Sequence, residues 1–229
     1  MPQVTFTASG ALQGARRTFP MVPSLLAWGA VFGILSRQAG LSLSEAVLMS
    51  GTVFAGASQL VSMELWRAPL PVLEILLTTL IINLRHVLMG AALYPWFAPL
   101  NVMQRYGSAF FITDESWALT LDELEHRSTD AAFLLGSGLT LYLTWLGATV
   151  IGQSLGAAIP DPARWGLDFA SIAVFLALLV GMWRGKTSLL PWLVAAVVAL
   201  AASRLLPGKW YILLGGLAGS LVGAWRDVD

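Results

Sequence analysis

Three groups of polar residues lie where a mostly apolar chain gives them least reason to be. Asn83-Leu84-Arg85-His86 falls between the apolar runs Ile75 to Ile82 and Val87 to Tyr94. A guanidinium offers a rigid fork of donors to a carboxylate, and the neighbouring amide and imidazole can donate or accept. Thr113-Asp114-Glu115-Ser116 falls between Ala109-Phe110-Phe111-Ile112 and Trp117-Ala118-Leu119. Adjacent carboxylates in such a setting repel, and burial and like charge both raise the pKa of the pair, which suits one of them to taking up and releasing a proton near neutral pH. Phe54-Ala55-Gly56-Ala57-Ser58-Gln59 is the third group. Its small residues let a backbone or a ligand approach closely, and Gln59 presents both a donor and an acceptor.

Each group also has a plainer reading. Arg85 can pair with Asp114 or Glu115 only to let a bundle insert, or can snorkel to an interface. The two acids can face water on a re-entrant or interfacial segment. Ala55 to Ser58 can be a helix-packing surface with one interhelical amide bond. Gly29 and Gly33, and Gly215, Gly219 and Gly223, recur at four-residue spacing and make grooves whose commonest use is close packing within the same chain.

What must position these residues follows from composition. The 229-residue chain is 57% hydrophobic and 11% charged, with a mean hydropathy of +0.73, against roughly 25% charged residues in a soluble domain. Formal net charge is zero and there is no basic field for nucleic acid. With no cysteine and two histidines, thiolate chemistry, disulfides and a zinc cluster drop out, and no cofactor or metal site is expected.

Apolar stretches run from Phe19 to Ser36, Ala46 to Trp66, Pro71 to Phe97, Gly107 to Leu121, Ala131 to Ile159, Leu167 to Trp183, Leu189 to Leu206 and Trp210 to Trp225. The reading is an all-α, polytopic transmembrane helical bundle: one permease domain over residues 1–229, with about eight membrane segments of which the third and fourth are interrupted by their polar residues. The break at Asn83 to His86 suits a discontinuous helix whose ends point into a site. Trp28, Trp66, Trp96, Trp165, Trp183, Trp210 and Trp225 fall near segment ends and read as interfacial anchors. Connections such as Pro69-Leu70-Pro71, Pro160-Asp161-Pro162 and Pro207-Gly208 are short, so neighbouring segments pack antiparallel.

The function this supports is transport rather than catalysis. His-Glu-x-x-His does not occur, and no Walker-type loop is present to bind ATP. An ion gradient is then the expected energy source for moving a small solute. A structural subunit of a larger complex is the rival, and the charge it would bury is its weakness.

The three groups, in this order and spacing, together with the Gly14 to Gly33 region that holds Pro20 and Pro23, resemble the AzlC family, the large subunit of bacterial branched-chain amino acid exporters. The resemblance covers the first half of the chain, and beyond Ala131 it is a matching hydropathy pattern. It implies a multi-pass permease of the bacterial inner membrane that works with a small hydrophobic AzlD-type subunit to export valine, leucine, isoleucine and methionine. The resemblance implies conserved positions at Gly56, Gln59, Asn83, Arg85, His86, Asp114 and Glu115, and the reading of the residues themselves expects substrate binding from the first five and proton coupling from the two acids. Another small apolar solute fits the same features.

Overall fold

A computed structural model of the chain describes residues 4–125, 130–158, 185–206 and 210–226, together with Leu176 and Val180. The expected segment Leu167 to Trp183 lies outside the described residues apart from those two positions. So do Trp165, Pro160-Asp161-Pro162 and Pro207-Gly208.

The described residues form an all-α bundle, whose only extended pairing is a single bridge between Thr5 and Asp130. The elements are α1 (Ala8–Thr18), α2 (Val22–Gln38), α3 (Leu43–Val53), α4 (Gly56–Leu65), α5 (Val72–Asn83), α6 (Arg85–Phe97), α7 (Val102–Ala109), α8 (Asp114–Glu125), α9 (Ala132–Ala158), α10 (Leu189–Leu205) and α11 (Trp210–Arg226). Among the described residues, three helical runs are long and apolar enough to cross a bilayer: Ala8–Gln38, Val72–Phe97 and Ala132–Ala158. Leucines such as Leu73, Leu76, Leu80 and Leu88 stand exposed along the second of these runs, as lipid-facing side chains must.

The 27-residue α9 carries no charge and, at 1.5 Å per residue, is about 40 Å long. It is the post around which α1, α2 and α3 pack. Small residues bring the backbones together. A β-carbon on Gly136 or Gly152 would collide with the carbonyl oxygen of Ala11 or Ala30, and one on Gly33 would lie 2.7 Å from the amide nitrogen of Gln153. Gly29 and Gly33 therefore serve packing inside the chain, and Gly215 and Gly219 do the same against Ala195 and Ala199 of α10. Hydroxyls add polar pins to this apolar contact: Thr18 and Ser137 lie 2.7 Å apart and Ser50 and Thr149 2.9 Å apart, all of them buried.

Three segments are interrupted, the third segment only by a single residue. The second parts at Phe54 and Ala55, where Phe54 takes the left-handed conformation (φ 43°, ψ 48°) that a residue with a β-carbon rarely adopts. The fourth parts between α7 and α8, with Asp114 as the first residue of α8. In the third, Leu84 alone separates α5 from α6, and it keeps right-handed helical angles and the bond from its N–H to the Leu80 carbonyl (3.0 Å). The discontinuity expected in the third segment is thus present as a one-residue interruption at Leu84 within a 26-residue run. The wider breaks leave free helix ends at the starts of α4 and α8.

Candidate functional site

Those two helix ends meet Arg85 across a cavity. Ala55, Gly56 and Ala57 enter it from the start of α4, Arg85 and His86 from α6, and Thr113, Asp114 and Glu115 from the start of α8. Leu25 and Trp28 of α2, Phe54, and Leu141 and Trp145 of α9 supply the apolar wall. The space open to the centre of a water molecule is about 50 Å³, enough for a few waters at roughly 10–15 Å³ each on that measure. The site is closed down around its own charges.

Local chemistry fixes each end. At the start of α8, the Thr113 hydroxyl accepts from the Ser116 N–H (3.2 Å) while the Ser116 hydroxyl oxygen accepts from the Thr113 N–H (2.8 Å). This reciprocal cap holds the turn that presents Asp114 and Glu115. Both acids also sit in the first turn of α8, where the helix dipole favours negative charge. At the start of α4, Ala55 offers no side-chain cap, so the first amides of that helix are a ready place for an anion.

Gln59 organises the break. It is fully buried, its side-chain oxygen accepts from the Trp145 indole N–H (3.1 Å) and from the Ala55 N–H (3.3 Å), and its side-chain amide donates to the Ser50 hydroxyl (3.2 Å). One residue thereby satisfies the donor that the break in the helix leaves open and anchors the tryptophan that floors the cavity. Gly56 makes room for that tryptophan, since a β-carbon there would lie 2.8 Å from the Trp145 ring. Trp145 also stacks on Phe32, with centroids 6.0 Å apart.

The charges are paired across the cavity. Arg85 Nη1 lies 2.8 Å from Asp114 Oδ2, with about a third or more of each side chain still exposed. His86 donates from Nδ1 to the Asn83 carbonyl (3.0 Å). Asn83 donates its side-chain amide to the Ser58 hydroxyl (3.3 Å) and so ties α5 to α4. Arg85 Nε and Asn83 Oδ1 are buried without a partner among the described residues. Buried polar atoms are seldom left this way, and here two of them belong to the residues around the ion pair.

The residues singled out from the sequence therefore divide by position. Gly56, Arg85, His86, Asp114 and Glu115 line the cavity, whereas Gln59 and Asn83 lie behind it and hold the backbone that does. Trp28, expected at a membrane interface, lines the cavity instead, because α1 extends the first helical run toward the N-terminus and puts Trp28 deep within it. Leu25, Leu141 and Trp145 did not emerge from the sequence reading. Trp145 alone carried a signal: an indole N–H in the middle of an uncharged span needs an acceptor.

The description "AzlC protein" belongs to the family model that matches residues 20–159. A membrane protein of Archaeoglobus fulgidus, itself uncharacterised, is 31% identical over 93% of this chain and 94% of its own length. The inner membrane protein YgaZ of Escherichia coli is 29% identical over 96% of this chain and 92% of its own. The branched-chain amino acid transport protein AzlC of Bacillus subtilis is 24% identical over 88% and 79%, respectively. No solved structure matches the chain. Similarity thus runs well beyond Ala131, where the sequence reading had found only a shared hydropathy pattern.

Proposed function

The chain belongs to the AzlC family, a family of membrane transport, and we propose that it is a secondary transporter subunit exporting branched-chain amino acids across the bacterial inner membrane. Valine, leucine and isoleucine are the substrates, with methionine as a further one, and an ion or proton gradient drives export. A small AzlD-type subunit completes the transporter.

One observation carries this reading: a cation and an anion 2.8 Å apart face a cavity whose other walls are leucine and aromatic rings. An amino acid with an apolar side chain has the same make-up. Its carboxylate fits Arg85 and the uncapped amides of α4. Its ammonium fits Asp114 or Glu115, and its hydrocarbon tail fits Leu25, Trp28, Leu141 and Trp145. Gly56 contributes by its lack of a side chain, and Gln59 and Asn83 by the backbone and neighbours they fix. The carboxylate not engaged by ammonium is the proton carrier, with His86 lining the same cavity.

Proteoliposomes loaded with labelled leucine test the reading, with and without the small partner and a pH gradient. Wild-type protein should release leucine faster when the gradient is present. Arg85→Ala should lower the rate about ten- to a hundredfold at unchanged protein level, as expected for losing a charge-assisted hydrogen bond worth about 1.5–3 kcal/mol. Normal efflux from both Arg85→Ala and Asp114→Asn would remove this site from the mechanism.

A further inference from the structure

We propose that the Arg85–Asp114 ion pair is a built-in competitor for the substrate. In the empty site Asp114 occupies the guanidinium that a substrate carboxylate needs, and a zwitterion enters by parting the two, its carboxylate going to Arg85 and its ammonium to Asp114. This rests on the amino-acid reading of the site.

The geometry argues for it in three ways. The pair spans the cavity rather than flanking it, since both residues line it and their charged atoms are 2.8 Å apart. The space of about 50 Å³ holds a few waters and is too small for a leucine while the walls and the pair keep their places. The pair also leaves Arg85 Nε buried and without a partner, so a ligand able to bind the guanidinium on a second edge gains a bond that Asp114 does not make.

Charge counting then sets the selectivity. Glu115 from α8 and His86 from α6 are the other titratable groups lining the cavity, and α2, α4 and α9 bring none. A zwitterion that opens the pair leaves both Arg85 and Asp114 partnered. A carboxylate without an amine strands Asp114, and an amine without a carboxylate strands Arg85. An ionised group left without its partner loses that attraction, by an amount that water reduces where, as here, about a third or more of each side chain is exposed. The pair is thus a filter for molecules carrying both charges, independent of the side chain that the apolar wall selects.

Calorimetry on the purified full-length chain, with leucine, 4-methylpentanoate and 3-methylbutylamine as ligands, tests this. Wild-type protein should bind leucine at least about tenfold more tightly than either half-molecule. Asp114→Asn removes the competitor, so 4-methylpentanoate should tighten about tenfold while 3-methylbutylamine binding is lost. Asp114→Glu keeps an anion beside Arg85 and should retain the wild-type order. Unchanged or weaker 4-methylpentanoate binding in Asp114→Asn, with leucine binding intact in the wild type, would overturn the inference and leave the transport reading standing. Should Asp114→Asn fail to fold, the wild-type series decides, and equal affinity for all three ligands would overturn the inference. Wild-type protein that binds none of leucine, valine or isoleucine would overturn the amino-acid reading and the inference together.

Discussion

The two sides of α9 are built differently. Toward α1, α2 and α3, helices pack closely, with backbone against the glycines of α1, α2 and α9, and the polar groups at these contacts, Thr18, Ser137, Thr149 and Ser50, are buried and bonded. Toward α4, α6 and α8, helices start and stop, a cavity remains, and Arg85 Nε and Asn83 Oδ1 lack partners. A close-packed contact has one arrangement, because interiors at crystal density do not deform gradually. Short helices joined by irregular residues can re-aim with few lost contacts. The first side therefore reads as the frame and the second as the part that rearranges when a solute passes.

The sharpest way to break this comparison uses glycines on one helix. At Gly152 a β-carbon would collide with the Ala30 carbonyl, whereas at Gly147, also on α9, it would meet nothing within 4 Å. Gly152→Ala should destabilise the protein by about 3 kcal/mol, the upper part of the usual overpacking range. Gly147→Ala should be neutral or slightly stabilising, since alanine is favoured over glycine in a helix by about 1 kcal/mol. Thermal unfolding in detergent separates the two. Equal melting points would show that the frame is not rigid where the backbones meet.

A smaller effect is expected at the joint between the two sides. Gln59→Leu leaves the Trp145 indole and the Ala55 N–H without their acceptor, and an unsatisfied buried donor costs about 1–3 kcal/mol. Because both donors border the cavity, the substitution should also weaken leucine binding, which calorimetry measures. Loss of stability with unaltered binding would place Gln59 in the frame alone.

Much of the cavity could be read from residue type. Arginine, histidine and paired acids within apolar segments are expensive unless they face one another or a hydrated space, and Arg85, His86, Asp114 and Glu115 do line one cavity. The break of the fourth segment beside Asp114 followed from the same cost. The break at Phe54 did not, because the left-handed residue is a phenylalanine rather than a glycine, and what holds the break is a side-chain amide bonding to backbone four residues away. The third segment is interrupted where its polar residues suggested, though only by Leu84 between Asn83 and Arg85. Side chains facing a cavity need no wide unwound stretch, so α6 starts one residue after α5 ends. Leu141 and Trp145 were beyond reach because they arrive from α9, and no local period links them to α4.

The smallest expected effect separates two ion pairs that look alike. Arg17 and Asp122 are 2.8 Å apart with about half of each side chain exposed, joining α1 to the far part of α8, and Gln13 adds a bond of 2.7 Å to Glu123. Arg85 and Asp114 have the same separation at the near end of that helix. Distance alone cannot rank them; surroundings can. Around Arg17, water solvates either partner once the other is removed, so an exposed pair contributes about 0–1 kcal/mol. Around Arg85, where somewhat less of each side chain is exposed, the cavity is lined by aromatic rings, helix ends and a second acid, so the same truncation leaves a less well solvated charge. Arg17→Ala should therefore change melting and leucine efflux within about twofold, weakening further in importance as salt is raised, while Arg85→Ala abolishes most efflux. If Arg17→Ala proved as damaging as Arg85→Ala, α8 would be clamped at both ends during transport, and the moving part of the molecule would have to include α1.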